Sequence, residues 1–522
     1  MLTKSCLAVA AAMVLAACTA ATHQSGQPPG DSHTLYQLLP GSEREALART
    51  PGAHGYLKYL LQAPSTEDIR LVTLTPSLVS STTSTLSLPL MDGSTVQFKR
   101  LRSNDSQPGM TGWVGDVASN RQGDFPASSE VVMDPFSWIS LMRQGDQVVG
   151  DVHVKGQAYR LEPIGNGQHV LVKVDESKLP PEAEPIPAPK DASADLGVGK
   201  APSSAHSTIR VLFVTTNQSR DRYPDNRLRL AQALQTANQF LINSHVDLTY
   251  EIAGFYDATY DETGQDSSAQ LAAVRSDQTA LGKAVYAQRD VLGADLVAML
   301  STFKEVCGRA YLNANKALGY SVISCLAGTL GHELGHNLGV HHGWEPGDSV
   351  PNPPYMHGYR RTAAPALHTV MMTSQGAIPY FSNPRLTYQG VAIGTPEHHD
   401  AARRFNERRE TVENFYPPSV FPTVRLWPHG GQSGTGCYFE MTPDSYVQLS
   451  WHKCNGPTHV TVKDFSAGRE LCFTNLLGGV NYCYSGTFQG DFAVEIQTGA
   501  GRPAGLNFTK TKDGAVSKVT YK

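Results

Sequence analysis

The stretch Thr329 to His342, TLGHELGHNLGVHH, places four histidines and one glutamate within eleven positions. Three imidazoles with a fourth position left open to water make a hydrolytic zinc centre. His332 and His336 are one helical turn apart, so both rings can converge on one ion from the same side. Glu333 stands beside the first ligand, where a carboxylate can take a proton from a water activated by the metal. Gly339 tolerates the left-handed backbone that ends helices, and a turn there can swing His342 back as the third ligand. His341 competes for that role at a register one residue off. The full pattern H-E-x-x-H-x-x-G-x-x-H would arise in roughly one random chain in ten thousand, so accident is a poor explanation. The bare H-E-x-x-H alone would leave a surface helix plausible. Three imidazoles beside open water suit zinc; a requirement for Ca2+ is not written in any pattern of the chain.

Those ligands need a helix and a core to hold it. Leu326, Leu330, Leu334 and Leu338 recur every four residues, whereas His332 and His336 are offset by two residues, about 200° around a helix. The leucines can face a core while the imidazoles face a cleft. Upstream, TIRVLFVTT reads as a buried strand, NRLRLAQALQTANQFLINS as a helix and VDLTYEIAGFYD as a strand. SAQLAAVRSDQTALGKAVYAQRDVLG reads as helical and ADLVAMLS as a further strand. Strands alternating with helices predict an α/β layer domain over 207–417. Thr395-Pro396 is expected to start a last helix, with Ala401, Phe405, Val412 and Phe415 near one face and Pro417-Pro418 as its stop. The paired His398-His399 reads as a solvated helix start.

At 522 residues the chain is too long for one core. The expected architecture is multidomain, with a β-rich N-terminal domain, the α/β catalytic domain and a C-terminal β-sandwich. Residues 35–176 show short alternating strands, with Asp92-Gly93 and Asn166-Gly167 as hairpin turns. Some helix is expected near EREALART. Residues 177–206 hold six prolines among Ala, Ser and charged residues, which reads as a protease-accessible linker. Residues 420–522 are again β-like.

The first 18 residues combine Lys4 with an apolar run too short to span a bilayer as an anchor, a removable export signal. LAAC, ending at Cys18, resembles a bacterial lipobox, so Cys18 is the expected lipidation site and 19–34 a tether. Either the envelope, through that lipid, or the extracellular medium is the expected location. Six further cysteines, Cys307, Cys325, Cys437, Cys454, Cys472 and Cys483, fit three disulfides in an oxidising compartment. Pairing within segments gives Cys307–Cys325 and two bridges among the last four. With 43 basic against 47 acidic side chains, no electrostatic footprint suggests nucleic acid.

HELGHNLGVHH resembles the long zinc motif of the metzincin clan of metalloendopeptidases. HTVMMTSQGAIPYFSNP looks like the clan's Met-turn, which nominates Met371 beneath the zinc ligands, with Met372 as the one-residue alternative. The resemblance further implies that Tyr380 lies on the wall of the pocket for the side chain after the cleaved bond. CGRAYL followed by GYSVISC is similar to the edge strand of reprolysin-like (adamalysin-like) enzymes, which implies substrate contacts at Gly308, Ala310 and Tyr311. With FNERRETVENFYP, the likeness is nearest to bacterial reprolysin-like and peptidyl-Asp metallopeptidases, over about 207–417. Two positions depart from the pattern. Gly343 stands where adamalysins carry Asp, and Thr373 where astacins and serralysins carry a switching Tyr.

What this implies is a zinc endopeptidase acting on extended protein or peptide substrates that lie antiparallel to the edge strand. Glu333 would accept the water proton and return it to the departing amine. YRLEPIGNGQHVLVKVD before a cleavable linker resembles the prosegments of such peptidases. A thiolate switch is excluded for this region, because no cysteine lies between Thr19 and Val306. The competing expectation is a lipid-anchored binding protein whose metalloprotease-like domain is silent. Neither oligomeric state nor the ligand of the C-terminal domain is legible.

Overall fold

A computed structural model describes residues 33–416 apart from 50–54, 108, 120, 126–127, 188–200 and 327, and beyond 416 the backbone of eight strands. The export signal with Cys18 and nearly all of the tether lie outside the described residues. No described helix is long and apolar enough to cross a membrane.

The N-terminal domain is one antiparallel sheet of nine strands. They are β1 (Tyr36–Leu38), β2 (Thr66–Leu74), β3 (Thr85–Pro89), β4 (Thr95–Gln107), β5 (Met110–Asp116), β6 (Trp138–Gln144), β7 (Gln147–Val154), β8 (Gln157–Gly165) and β9 (Gln168–Val174). Short helices α1 (Arg44–Ala48), α2 (Gly55–Gln62) and α3 (Arg121–Asp124) punctuate them. The sheet order is β1-β2-β9-β8-β7-β6-β5-β4-β3, and its ends meet where Ser87 N donates to His33 O at 2.9 Å. The sheet is thus nearly a closed barrel, with Leu86, Phe98, Trp113, Leu141, Val152 and Leu161 in one core cluster. Both hairpin glycines have positive φ, and Asn166 joins Gly167 there, as a tight two-residue turn requires.

The second domain is built on a six-stranded sheet of order β10-β14-β15-β13-β11-β12. Its strands are β10 (Ile186–Pro187), β11 (Ser207–Thr215), β12 (Leu248–Asp257), β13 (Leu296–Leu300), β14 (Gly308–Leu312) and β15 (Tyr320–Ile323). Neighbours run parallel, except that β14 is antiparallel to β15. The helices are α4 (Asn217–Arg222), α5 (Asn226–Asn243), α6 (Ser267–Arg275), α7 (Ala280–Leu292), α8 (Gly328–Asn337) and α9 (Ala401–Glu413). Side chains on a strand alternate between faces. Val211 and Phe213 of β11 join the cluster holding α5 and α8, and Leu212 and Val214 join the cluster holding α6 and α7. Helices therefore cover both faces, which is why Val211–Val214 of β11 and all of β13 are apolar without alternation.

Three local expectations change. The helical stretch after Ser267 breaks in two, because Thr279 caps α7 by accepting from Gly282 N. The last helix begins at Ala401, not at Thr395-Pro396, because Asp400 accepts from Arg403 N. His398 and His399 precede it in a loop, with the His398 ring stacked 3.6 Å from Trp344; they are not a solvated helix start. Between α8 and α9 lie two small hairpins, β16 (Arg360–Arg361) with β17 (Leu367–His368) and β18 (Asn383–Tyr388) with β19 (Val391–Ile393).

Beyond Pro417 the strands are β20 (Val424–Pro428), β21 (Cys437–Phe439), β22 (Gln448–Leu449), β23 (Thr458–Val462), β24 (Glu470–Asn475), β25 (Val480–Ser485), β26 (Phe492–Gly499) and β27 (Arg502–Lys510). They form two four-stranded sheets, β21-β20-β26-β27 and β22-β23-β24-β25. Cys472 and Cys483 are register partners on β24 and β25. Cys454 and the side chains of Cys437, Cys472 and Cys483 lie outside the described residues.

Candidate active site

Helix α8 is anchored by its leucines. Leu330, Leu334 and Leu338 are fully buried in the cluster they share with α5. Gly331 lets the two helices approach, since a Cβ there would sit 3.3 Å from Ala237 Cβ. Gly335 leaves room for Met371, whose Sδ would be 2.7 Å from an added Cβ. Gly339 has φ +85°, and a side chain there would press on Asn313 and Arg404. The chain turns at that glycine and returns with His342.

The three Nε2 atoms of His332, His336 and His342 lie 3.0, 3.0 and 3.2 Å from one another. A tetrahedral zinc with bonds of about 2.0–2.1 Å implies ligand separations of about 3.3 Å. The Nδ1 atoms fix the tautomers. His332 Nδ1 is 2.9 Å from Val370 O and His336 Nδ1 is 2.7 Å from Val340 O. Carbonyls only accept, so both Nδ1 atoms carry the proton and both Nε2 atoms present a lone pair. His342 Nδ1 faces the Glu184 carboxylate at 3.2 Å. Three lone pairs aimed at one point repel unless a cation lies between them, so this donor set fits a zinc ion. Burial supports the same state, holding His332 down to about 4 and His336 well below its ordinary value.

Glu333 is fully buried and neither carboxylate oxygen has a hydrogen-bond partner. Burial and then the nearby Glu182 carboxylate push it well above the usual carboxylate range. A Cβ at Gly308 would collide with Glu333 Oε1, so the first residue of β14 must be glycine for this carboxylate to fit.

The cleft is already occupied by the chain itself. Residues 176–187 run from the loop at Ser374–Gly376 along β14, and Ile186 and Pro187 pair in parallel with Tyr311 and Leu312. Gln375 donates to Pro180 O at 2.7 Å and Cys307 N to Pro181 O at 2.8 Å. The Glu182 carboxylate accepts from the Ser374 hydroxyl. Composition places the start of a linker here and gives no sign of these contacts, so the expected linker is corrected to a docked segment at its first residues. Prolines at 180, 181, 185 and 187 carry no backbone donor and favour an extended chain, the one signal that could have suggested a strand-like strap.

The other nominated residues fall as follows. Met371 is fully buried under α8, whereas Met372 packs toward Gly343. Ala310 pairs with Ser321 and is buried, and Tyr311 O accepts from Asn337 Nδ2. Tyr380 is buried with its hydroxyl donating to Met133 O of the N-terminal domain. His341 stands aside from the triad, its Nδ1 accepting from His342 N. A disulfide joins Cys307 to Cys325, tying the head of β14 to the approach to α8.

Residues 228–343 match the Metallo-peptidase family M12B Reprolysin-like profile. A "Peptidyl-Asp metalloendopeptidase" of Xanthomonas campestris pv. campestris is 31% identical over 417 residues, covering 77% of this chain and 97% of that protein. One of Stenotrophomonas maltophilia is 30% identical over 373 residues, covering 68% and 88%. A Pseudomonas aeruginosa protein of the same name is 26% identical over 266 residues, covering 44% of each.

Proposed function

The chain belongs to the reprolysin-like metallopeptidases, with the bacterial peptidyl-Asp metalloendopeptidases as relatives, and is a zinc metalloendopeptidase; on that premise we propose that Glu333 is its general base. The carrying observation is an orphaned, buried carboxylate beside three convergent imidazole lone pairs. Zinc held by His332, His336 and His342 supplies Lewis acidity to the scissile carbonyl and acidifies water. Glu333 receives the water proton and passes it to the leaving amine. Substrate lies extended and antiparallel to β14, with Gly308, Ala310 and Tyr311 offering main-chain groups. The relatives' name supports cleavage beside aspartate. A silent binding domain would have no use for a desolvated base, which disfavours that alternative.

Two further parts of this reading concern the chain before the peptidase. Residues 1–18 act as an export signal with lipidation at Cys18, which fits a disulfide at Cys307–Cys325. The N-terminal domain and its strap act as a prosegment, because residues 176–187 lie where substrate must lie. Mass spectrometry of the mature N-terminus tests both. For the base, Glu333→Gln is expected to keep its zinc and lose about 10²–10⁴-fold in casein hydrolysis. Unchanged hydrolysis would reject the mechanism.

A further inference from the structure

The strap carries two acidic side chains into the cleft, and they sit differently. Glu184 is largely exposed, its side chain 79% accessible, and reaches only the outer nitrogen of His342. Glu182 is drawn inward, one oxygen held by Ser374 and the other, Oε2, buried without a partner. Ser374 in turn meets Thr329 at 3.2 Å between hydroxyl oxygens. Thr329 lies on α8 one turn before His332, and Ser374 lies three residues after Met371. Both hydroxyls thus meet at Glu182, whose carboxylate lies within 4.8 Å of ligand atoms of His332 and Glu333.

A plain alternative is that Glu182 caps the metal. A fourth tetrahedral ligand would stand about 3.3 Å from all three Nε2 atoms. Among the described residues Glu182 groups within 4.8 Å with His332 and Glu333, and not with the complete triad. Its carboxylate is displaced toward the hydroxyls. Burying a carboxylate costs several kcal/mol unless donors replace water, so a segment that merely blocked the cleft would be better served by an apolar residue here. This pocket supplies the Ser374 hydroxyl to one carboxylate oxygen and leaves Oε2 buried without a hydrogen-bond partner.

The geometry points to Ser374 and Thr329 as the residues that select an acidic substrate side chain next to the scissile bond, with Glu182 of the strap as that side chain's stand-in. This rests on the peptidase reading above and names the residues behind its aspartate preference. The strap enters with reversed chain direction, parallel to β14, which presents an acidic side chain to the pocket while misaligning the backbone for hydrolysis.

The test uses the full chain and two measurements. In the first, wild type, Ser374→Ala, Thr329→Val and the double variant compete paired peptides differing only in Asp or Leu beside the cleaved bond. The ratio of kcat/KM values is independent of how much enzyme is open. A hydrogen bond to a charged group sets an expected preference of about tenfold or more for Asp, falling to near parity in the double variant with zinc content unchanged. In the second, Glu182→Leu, Ser374→Ala and their combination are compared for amide hydrogen exchange at Cys307 and Ile186. Non-additive loss of protection is expected. Additive effects overturn the proposal. Hydrolysis with an unaltered Asp-to-Leu ratio overturns it too, while leaving the peptidase reading intact. Non-additivity in a zinc-loaded chain that hydrolyses nothing supports the pocket and rejects the peptidase mechanism instead.

Discussion

At the scale of single residues, the site works by controlling which atoms have partners. Each imidazole of the triad has its Nδ1 satisfied and its Nε2 turned to the other two, and the Glu333 carboxylate has no hydrogen-bond partner. The ligand identities are legible in the sequence because a helix converts a four-residue interval into one shared face. Val370 O, Val340 O and Glu184 are not, since backbone acceptors and a glutamate 158 positions away leave no local spacing. Two predictions belong here. A histidine ordinarily titrates near 6.5, but burial holds His332 at about 4. Its neutral-ring contribution to stability is therefore whole above 6.5 and is lost as pH falls toward about 4. Protons should compete for the metal only in that lower range. Equilibrium dialysis should find zinc retained at about pH 5 and released near 4; release centred at 6.5 would mean the rings are open to solvent. Gly308→Ala should drive a methyl into Glu333 and cut hydrolysis by about 10²-fold or more, with zinc stoichiometry unchanged in atomic absorption. A Gly308→Ala variant as active as wild type would show that Glu333 does not sit against β14 during turnover.

At the scale of elements, what is legible follows from local pattern, and what is hidden follows from tertiary contact. The apolar run Val211–Val214 and the leucine interval of α8 announce their own burial. The start of α9 departs from the expected Thr395-Pro396 because those are good capping residues in isolation, yet Asp400 caps instead, pinned by Arg385 at 2.9 Å through its other role as an ion-pair partner. Edge strand β14 depends on a covalent tie as well as pairing. Cys307 closes a loop to Cys325 of 18 residues in separation, and such a crosslink stabilises by about 3 kcal/mol through the unfolded chain. Replacing both by Ser should lower the unfolding free energy by about that amount in urea titrations. Exchange of β14 amides should rise more than that of β11, since the tie acts at one end of the sheet. Uniform exchange throughout would mean that β14 is held by its neighbours alone.

For the whole molecule, the decisive feature is how the barrel holds the strap in the cleft. Helix α5 carries polar side chains that are buried against the barrel and not exposed to water. Gln232 donates to Asp151 at 2.7 Å, Gln235 to Ser140 Oγ at 3.0 Å and to Leu141 O at 2.9 Å, and Arg229 pairs with Glu162. Helical periodicity does not reveal this, because a helix whose second face meets another domain reads as an ordinary amphipathic one. Apolar contact adds to these bonds, with Met110, Met142 and Val149 of the barrel packed on Leu228 and Ala231 of α5 and Trp138 edge-on to Phe240 at 5.8 Å, which makes the interface costly to open. Nicking between residues 188 and 200 should therefore leave the barrel docked, with the two pieces co-eluting in size exclusion and hydrolysis still low. Gly112 of β5 offers the cleanest way to loosen it. A side chain there would collide with Gln235, which is not among the residues grouped at the metal centre. Gly112→Val should let the nicked barrel dissociate and hydrolysis rise by about tenfold or more, given a loss of one or two buried hydrogen bonds at about 1 kcal/mol each plus the clash. Zinc content should stay the same. If nicked wild type is already fully active with the barrel still bound, the barrel is a permanent domain and the strap leaves the cleft without it.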